Sequence, residues 1–367
     1  MRRALALAIA AALAAPAAAC AADPGLWVKT SQLTKPAWYR QGLASNPLTG
    51  DVFFSGSFAG IYRTRNEKEL ARNATPIPKD VAQREQYNHI GDIAFDTGEG
   101  GRLLLPLESY APLQQDTNPA KTASIGVMDA KTLAWKYYVK LDPAEVDKAQ
   151  WVAVDAANGL LWTLGDTSLL AYNLADIDPV NAAPDAAPIH AVRRLTGVLP
   201  QGAGGAVVFG GRLFLSQLVD GVNRVISMDT TTGATQVEIE IPGSLEEEGL
   251  DVGAYLDGLL HWELVPGAGL SNTQVLNFVP KGARLALKLD RARVRAGKKV
   301  GVRATASVLA GGYRIPLRGA QFRLGGKSTK TDAGGRARLT VKLTRGAYRA
   351  QAFYAGMQTA SKPVRAI

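Results

Sequence analysis

The sequence predicts an all-β protein in two parts, and three observations carry the prediction. Short apolar runs entered from turn residues recur along residues 23–280. From Lys281 onward, strict alternation of apolar and polar side chains replaces them. The charge changes at the same place. Residues 281–367 hold 21 Lys and Arg against two acids, Asp290 and Asp332; of the chain's 42 basic and 32 acidic residues, 21 and 30 remain for the rest. The formal +10 therefore conceals an acidic body and a strongly cationic one.

The first 22 residues read as an export signal. Arg2 and Arg3 supply a positive start, Leu5–Ala15 an apolar run too short for a typical transmembrane helix, and Ala17-Ala-Ala-Cys-Ala-Ala a small-residue cleavage region. Cys20 is the single cysteine, so no intrachain disulfide can form. Its position resembles a bacterial lipobox, with Ala17 where that motif usually has Leu. The resemblance implies a lipid on Cys20. The other reading is ordinary cleavage after Ala19 or Ala22. No later stretch is long and apolar enough to span a membrane, which leaves a lipid as the one expected membrane link.

In residues 23–280, Asp51-Val-Phe-Phe-Ser, Arg102-Leu-Leu-Leu-Pro, Gly159-Leu-Leu-Trp-Thr, Gly211-Arg-Leu-Phe-Leu-Ser and Gly258-Leu-Leu-His-Trp read as strands leaving a turn. A short strand precedes each: Leu43-Ala-Ser-Asn, Ile93-Ala-Phe-Asp, Val152-Ala-Val-Asp, Ala206-Val-Val-Phe and Leu250-Asp-Val-Gly. Corresponding positions 44, 94, 153, 207 and 251 are 50, 59, 54 and 44 residues apart. Third strands follow at Gly126-Val-Met-Asp, Leu170-Ala-Tyr-Asn and Ile226-Ser-Met-Asp, and fourth strands at Lys136–Leu141 and Gln236–Ile241. Loops are expected at 111–120 and 176–188. Four short strands per repeat at this length is the pattern of a β-propeller blade. Five blades are counted. Gly25–Leu33 either closes the ring with the last blade or belongs to a degenerate sixth, and a pair of β-sandwiches is the competing architecture. The repeats resemble the broad class of NHL-repeat, YVTN-type and lactonase-like propellers. That resemblance implies architecture and leaves chemistry open.

The cationic segment 281–367 reads as a small sandwich. Leu285–Leu289, Val300–Ala306, Ala320–Leu324, Ala337–Leu343 and Tyr348–Phe353 alternate apolar and polar residues, as half-buried strands do. Thr331-Asp-Ala-Gly-Gly reads as a hairpin-type turn. The run from Ser328 to Leu339, with Arg345-Gly-Ala-Tyr-Arg-Ala, resembles bacterial Ig-like and carboxypeptidase-regulatory-like domains, which implies a spacer or adhesive role. In Ala337–Leu343 the apolar side points inward, leaving Arg336, Arg338 and Lys342 outward. Three uses of this basic face are open: contact with an anionic cell-envelope polymer, a merely solvated surface, or docking on the acidic propeller. Nucleic acid is not expected, since the chain reads as exported and has no recognisable binding motif.

Chemistry-bearing residues are few. The three histidines are His89, His190 and His261, and no strong zinc pattern or nucleophile elbow occurs. Propellers place ligands at a central funnel where the inner strands begin. The polar residues at those starts are Gln41, His89 with Asp92, Gln150 with Trp151, Gln201 and Glu248. Asp92, Glu248 and His89 are the candidate ligands of a divalent cation, calcium best suited to the carboxylates, if a metal is bound at all. The function read from these features is an exported, secreted or lipid-anchored binding or scaffold protein, its propeller holding a ligand or extracellular partner. The alternative is a metal-dependent, lactonase-like hydrolase or lyase acting on a small lactone or envelope sugar.

Overall fold

The computed structural model describes residues 26–367 apart from 57–59, 112–121, 166–167, 197–202, 244, 256–257, 267–270, 311–312, 333, 355–356 and 358. The segment read as an export signal with Cys20, the loop centre at 112–120 and Gln201 lie outside the described residues.

β1 (Trp27–Lys35) is the first strand among the described residues and pairs with the last strand of the propeller. β2 (Gly42–Ser45), β3 (Val52–Ser55), β4 (Ile61–Arg65) and β5 (Lys68–Asn73) form the first antiparallel sheet. A short helix, α1 (Lys79–Glu85), leads to the second sheet: β6 (His89–Ile90), β7 (Ala94–Asp96), β8 (Arg102–Glu108), β9 (Ser124–Asp129) and β10 (Trp135–Lys140). The third is β11 (Ala153–Asp155), β12 (Leu160–Leu164), β13 (Ser168–Asn173) and β14 (Arg193–Thr196). The fourth is β15 (Ala203–Phe209), β16 (Arg212–Val219), β17 (Val222–Asp229) and β18 (Thr235–Pro242). The fifth is β19 (Glu246–Tyr255), β20 (Gly258–Val265) and β21 (Thr273–Pro280), completed by β1, whose register runs from Trp27 opposite Pro280 to Lys35 opposite Thr273.

The first strands of the sheets pack side by side in order, β2 to β7 to β11 to β15 to β19, and β19 returns to β2. That closure makes a five-bladed β-propeller, with the N-terminal strand sealing blade 5. Because each blade lies between two others, its second strand is covered on both faces; β3, β8 and β20 are buried along their whole length. This is why those strands read as unbroken apolar runs rather than as alternation. The recurring Met-Asp at the end of the third strand is a turn device. Asp129 Oδ1 accepts the N–H groups of Lys131 and Thr132, and Asp229 Oδ1 those of Thr231 and Thr232.

The inner strands approach at backbone distance, and glycines permit it. A Cβ at Gly249 would stand 2.5 Å from Leu43 N, and one at Gly205 would overlap the Glu248 carbonyl. Gly249→Ala should therefore cost about 1–3 kcal/mol, the usual range for forcing a methyl into a packed interior. A lower urea midpoint is the expected reading; an unchanged midpoint would show that blades 5 and 1 can part without loss.

Residues 284–366 form two further sheets packed as a sandwich. One has β22 (Arg284–Leu289) beside β24 (Lys299–Ala310), whose other edge carries β25 (Tyr313–Pro316) and β28 (Arg336–Lys342). The other runs β23 (Arg293–Val294), β30 (Ala360–Ala366), β29 (Gly346–Phe353), β26 (Gln321–Leu324) and β27 (Lys327–Lys330). The Thr331–Gly335 turn is not a hairpin. It carries the chain from β27 in one sheet to β28 in the other, because Thr331 is buried at the crossing, donating its hydroxyl to Leu317 O and accepting from Ala320 N.

The sandwich rests on the side of the propeller away from the inner-strand starts. Tyr354 donates to Gly258 O at 3.1 Å, where β20 begins, and Arg318 to Thr49 O, in the turn that leaves β2. One buried apolar cluster runs from Phe214, Val225 and Trp262 in blades 4 and 5 to Val302, Phe322 and Val364 in the sandwich.

Candidate functional site

The axis of the propeller is organised around Asp92. The inner edge of blade 2 is broken: His89–Ile90 pair with Glu108 and Leu107, Ala94–Asp96 with Leu104 to Arg102, and the segment 91–93 leaves the ladder between them. Asp92 is thereby pushed to the centre. Its N–H donates to Gln150 O at 2.9 Å and its carbonyl accepts Val152 N at 3.1 Å, so its backbone is bonded to blade 3. Its carboxylate accepts Leu43 N of blade 1 on Oδ1 at 3.0 Å, and Ala206 N of blade 4 and Leu250 N of blade 5 on Oδ2 at 2.9 and 3.2 Å. One residue thus bonds to the inner strands of all four other blades. The side chain is wholly buried. Burial pushes its pKa up, while the three N–H donors favour the anion and pull it down.

Beside this hub lies a group of acids between blades 5 and 1. Gln41 Nε2 donates to Glu248 Oε1 at 3.1 Å, and Arg40 pairs with Glu246 at 3.3 Å nearer solvent. Glu248 and Glu263 are buried, and both carboxyl oxygens of Glu263 lack a hydrogen-bond partner among the described residues. Burial raises the pKa of Glu248, reinforced by Glu246, Glu263 and Glu247 and opposed by Arg40. Burial likewise raises Glu263, with Asp92 adding to it and Arg40 and Lys35 opposing. Glu247, half-buried, is pushed up to about 7, chiefly by burial.

Folding therefore makes Glu263 hold its proton to higher pH than the unfolded chain, which releases it above pH ~4.3. Its contribution to stability is full below that pH and declines as pH rises toward the folded pKa, by about 1.4 kcal/mol per pH unit. Glu263→Gln should remove this share of the decline. Its urea midpoint should match the native protein near pH ~4.5 and exceed it by pH ~8; a gap independent of pH would mean that Glu263 is ionised in the fold.

Of the residues expected at the funnel, Gln41, Asp92 and Glu248 come to the axis, and Gln150 and Trp151 join through the bridge to Asp92. His89 goes elsewhere. Its Nδ1 lies 2.8 Å from Glu108 Oε1, off the angle of a well-formed hydrogen bond, and its ring stands against Tyr110 at 5.2 Å, both in its own blade. Trp151 is buried, with no acceptor for its indole N–H among the described residues. Among the described residues no three His, Cys, Asp or Glu side chains form a group able to hold a metal ion. Arg40 and Glu263 escaped the sequence reading. Glu263 carried a signal, since an acid inside the otherwise apolar run 258–265 must be buried. His261, in the same strand, is a structural residue: its ring bridges Asn277 and Gly253 at 2.7 and 2.8 Å, and burial lowers its pKa.

The second polar surface is the outer side of the β22–β24–β28 sheet. Burial alternates along β28, leaving Arg336, Arg338, Thr340 and Lys342 exposed. The register sets Lys299 opposite Lys342 and Arg303 opposite Arg338, with Lys288 and Arg336 both opposite Thr305. All of these cations are exposed, and none has an ion-pair partner among the described residues. The two acids of the segment serve the backbone: Asp290 accepts Arg303 N and Asp332 accepts Arg336 N.

No protein family and no curated protein matches this chain. Solved structures similar to it include PorZ, described as an essential bacterial surface component of the type-IX secretion system of Porphyromonas gingivalis. That match has 13% identity and a TM-score of 0.29, and covers 89% of this chain and 51% of PorZ. The chain thus spans about half the length of PorZ. A nidogen/laminin complex matches at 12% identity over 78% of this chain and 92% of the other, with a TM-score of 0.36. The Pan2 WD40 domain of Neurospora crassa matches at 9% over 70% and 96%, with a TM-score of 0.33. The propeller assignment rests on this chain's own closed ring of sheets.

Proposed function

We propose that this chain is an exported binding or scaffold protein whose basic, Ig-like sandwich attaches it to an anionic polymer of the cell envelope, while the propeller presents its mouth to a ligand or partner protein. The observation that supports this reading is the cross-strand pairing of like charges. Like charges directly opposite in a sheet destabilise it. Among the described residues, Lys299 with Lys342 and Arg303 with Arg338 form no ion pair that would offset the repulsion. A polyanion laid along β24 and β28 supplies the missing counter-charge. The side-chain hydrogen bonds described between sandwich and propeller use Arg318 and Tyr354, while Arg336, Arg338 and Lys342 are exposed. The test is binding of the mature chain to a long-chain polyphosphate and to polygalacturonate over a salt series. Expected is binding that weakens steeply with salt, since attraction between exposed charges is screened beyond about 10 Å at 0.1 M. Absence of binding at low salt would refute the proposal.

A further inference from the structure

A groove of about 1250 Å³ runs along the side of the sandwich. One wall is β22, which contributes five consecutive residues from Leu285 to Leu289; the opposite wall is Ala360–Pro363 of β30. β22 pairs only with β24, and this part of β30 pairs only with β29, because β23 reaches β30 only at Arg365 and Ala366. Each wall therefore presents an unpaired strand edge among the described residues. Such edges carry free N–H and C=O groups and invite another strand. Pro363 has no N–H to offer, so β22 is the edge that can pair continuously. Leu309 and Pro316 add apolar lining, Lys288, Arg314 and Lys362 supply cations, and among the described residues no acid lines the groove.

A second copy of this chain does not suit the edge. Antiparallel pairing of two β22 strands would bring Arg284 and Lys288 against the same cations of the copy. An acidic strand meets opposite charge along the same path. We propose that the groove receives an extended, acidic segment of a partner protein, which adds as a strand to β22 while its carboxylates meet Lys288, Arg314 and Lys362. Main-chain hydrogen bonds would give affinity and the cations the preference for acids, as in other strand-addition complexes. The groove shares Lys288 and Thr305 with the outer face of the β22–β24–β28 sheet but none of Arg336, Arg338 and Lys342, so variants of β28 tell the two proposals apart.

The test uses the mature chain and a labelled nonapeptide alternating Val and Glu, read by fluorescence anisotropy. Three comparison peptides carry Lys for Glu, or N-methyl groups on the odd or the even residues. Expected are binding of the acidic peptide, at least about tenfold weaker binding of the Lys peptide, and a loss of similar size from one N-methylated set but not the other. Hydrogen exchange across Leu285–Leu289 should slow on binding. Lys288→Glu with Arg314→Glu should abolish binding, whereas neutralising Arg336, Arg338 and Lys342 should leave it within about twofold. Should the double variant fail to fold, the N-methylated pair on the native chain still decides. Equal binding of both N-methylated peptides, no slowing across β22, or no binding of the acidic peptide would overturn the proposal. The edge cations would then serve only to prevent self-association.

Discussion

Asp92→Ala is expected to be the most damaging single substitution in the propeller. Its carboxylate accepts N–H groups from blades 1, 4 and 5 in a fully buried setting, and alanine would leave all three donors without an acceptor. A buried donor left unsatisfied costs about 1–3 kcal/mol, so the sum is at least ~3 kcal/mol and takes a large share of a typical stability of about 5–15 kcal/mol. Asp92→Asn should cost less. Its amide oxygen can still accept, while the amide nitrogen is set against at least one N–H. Urea unfolding should order the midpoints as native, then Asn, then Ala. A native-like midpoint for the Ala variant would show that the ring does not depend on this hub.

The second large effect concerns binding and leaves the fold intact. Changing Arg336, Arg338 and Lys342 together to Gln removes three exposed cations from β28, two of which stand opposite cations on β24. Affinity for polyphosphate at ~0.1 M salt should fall by more than about tenfold, and the slope of log affinity against log salt should shrink by about 2–3, the share of three phosphate contacts. Stability should hold or rise, since surface charges contribute little and the repulsion of like pairs is relieved. A variant with unchanged affinity and slope would return these residues to the status of a solvated surface.

The repeat was legible because burial on both faces forces apolar runs: Val52–Phe54, Leu103–Leu105 and Leu259–Leu260 could be read directly. The sandwich was legible for the opposite reason, as one wet face imposes alternation on Arg336–Lys342. The axis was only partly so. Asp92 and Glu248 stood out as polar residues at inner-strand starts. That Asp92 would spend its carboxylate on backbone N–H groups was not readable, because its partners Leu43, Ala206 and Leu250 lie 49, 114 and 158 residues away. His89 was drawn into the same set by its nearness in sequence to Asp92. The break at 91–93 turns the two residues to different surroundings. The Thr331–Gly335 turn deceived for a related reason: its glycines and aspartate suit a hairpin, and only the burial of Thr331 commits it to a crossing between sheets.

The seal of blade 5 by β1 sets an order of assembly. Trp27 finds its partner at Pro280, so the strand made first cannot pair until nearly the whole propeller has followed it. Loop-closure entropy for so long a span must be met before the ladder gives anything back, and contacts this distant in sequence make folding slow. A chain emerging N-terminus first would hold β1 as an open edge while blades 1 to 4 form, and would close only when β21 arrives. The sandwich begins four residues beyond that closure, at Arg284, and its core is continuous with blade 5. Completion of the ring and docking of the sandwich therefore draw on adjoining segments of the chain, β21 and β22. A chain cut short within blade 5 would keep an unpaired first strand, the state most exposed to aggregation and to proteases.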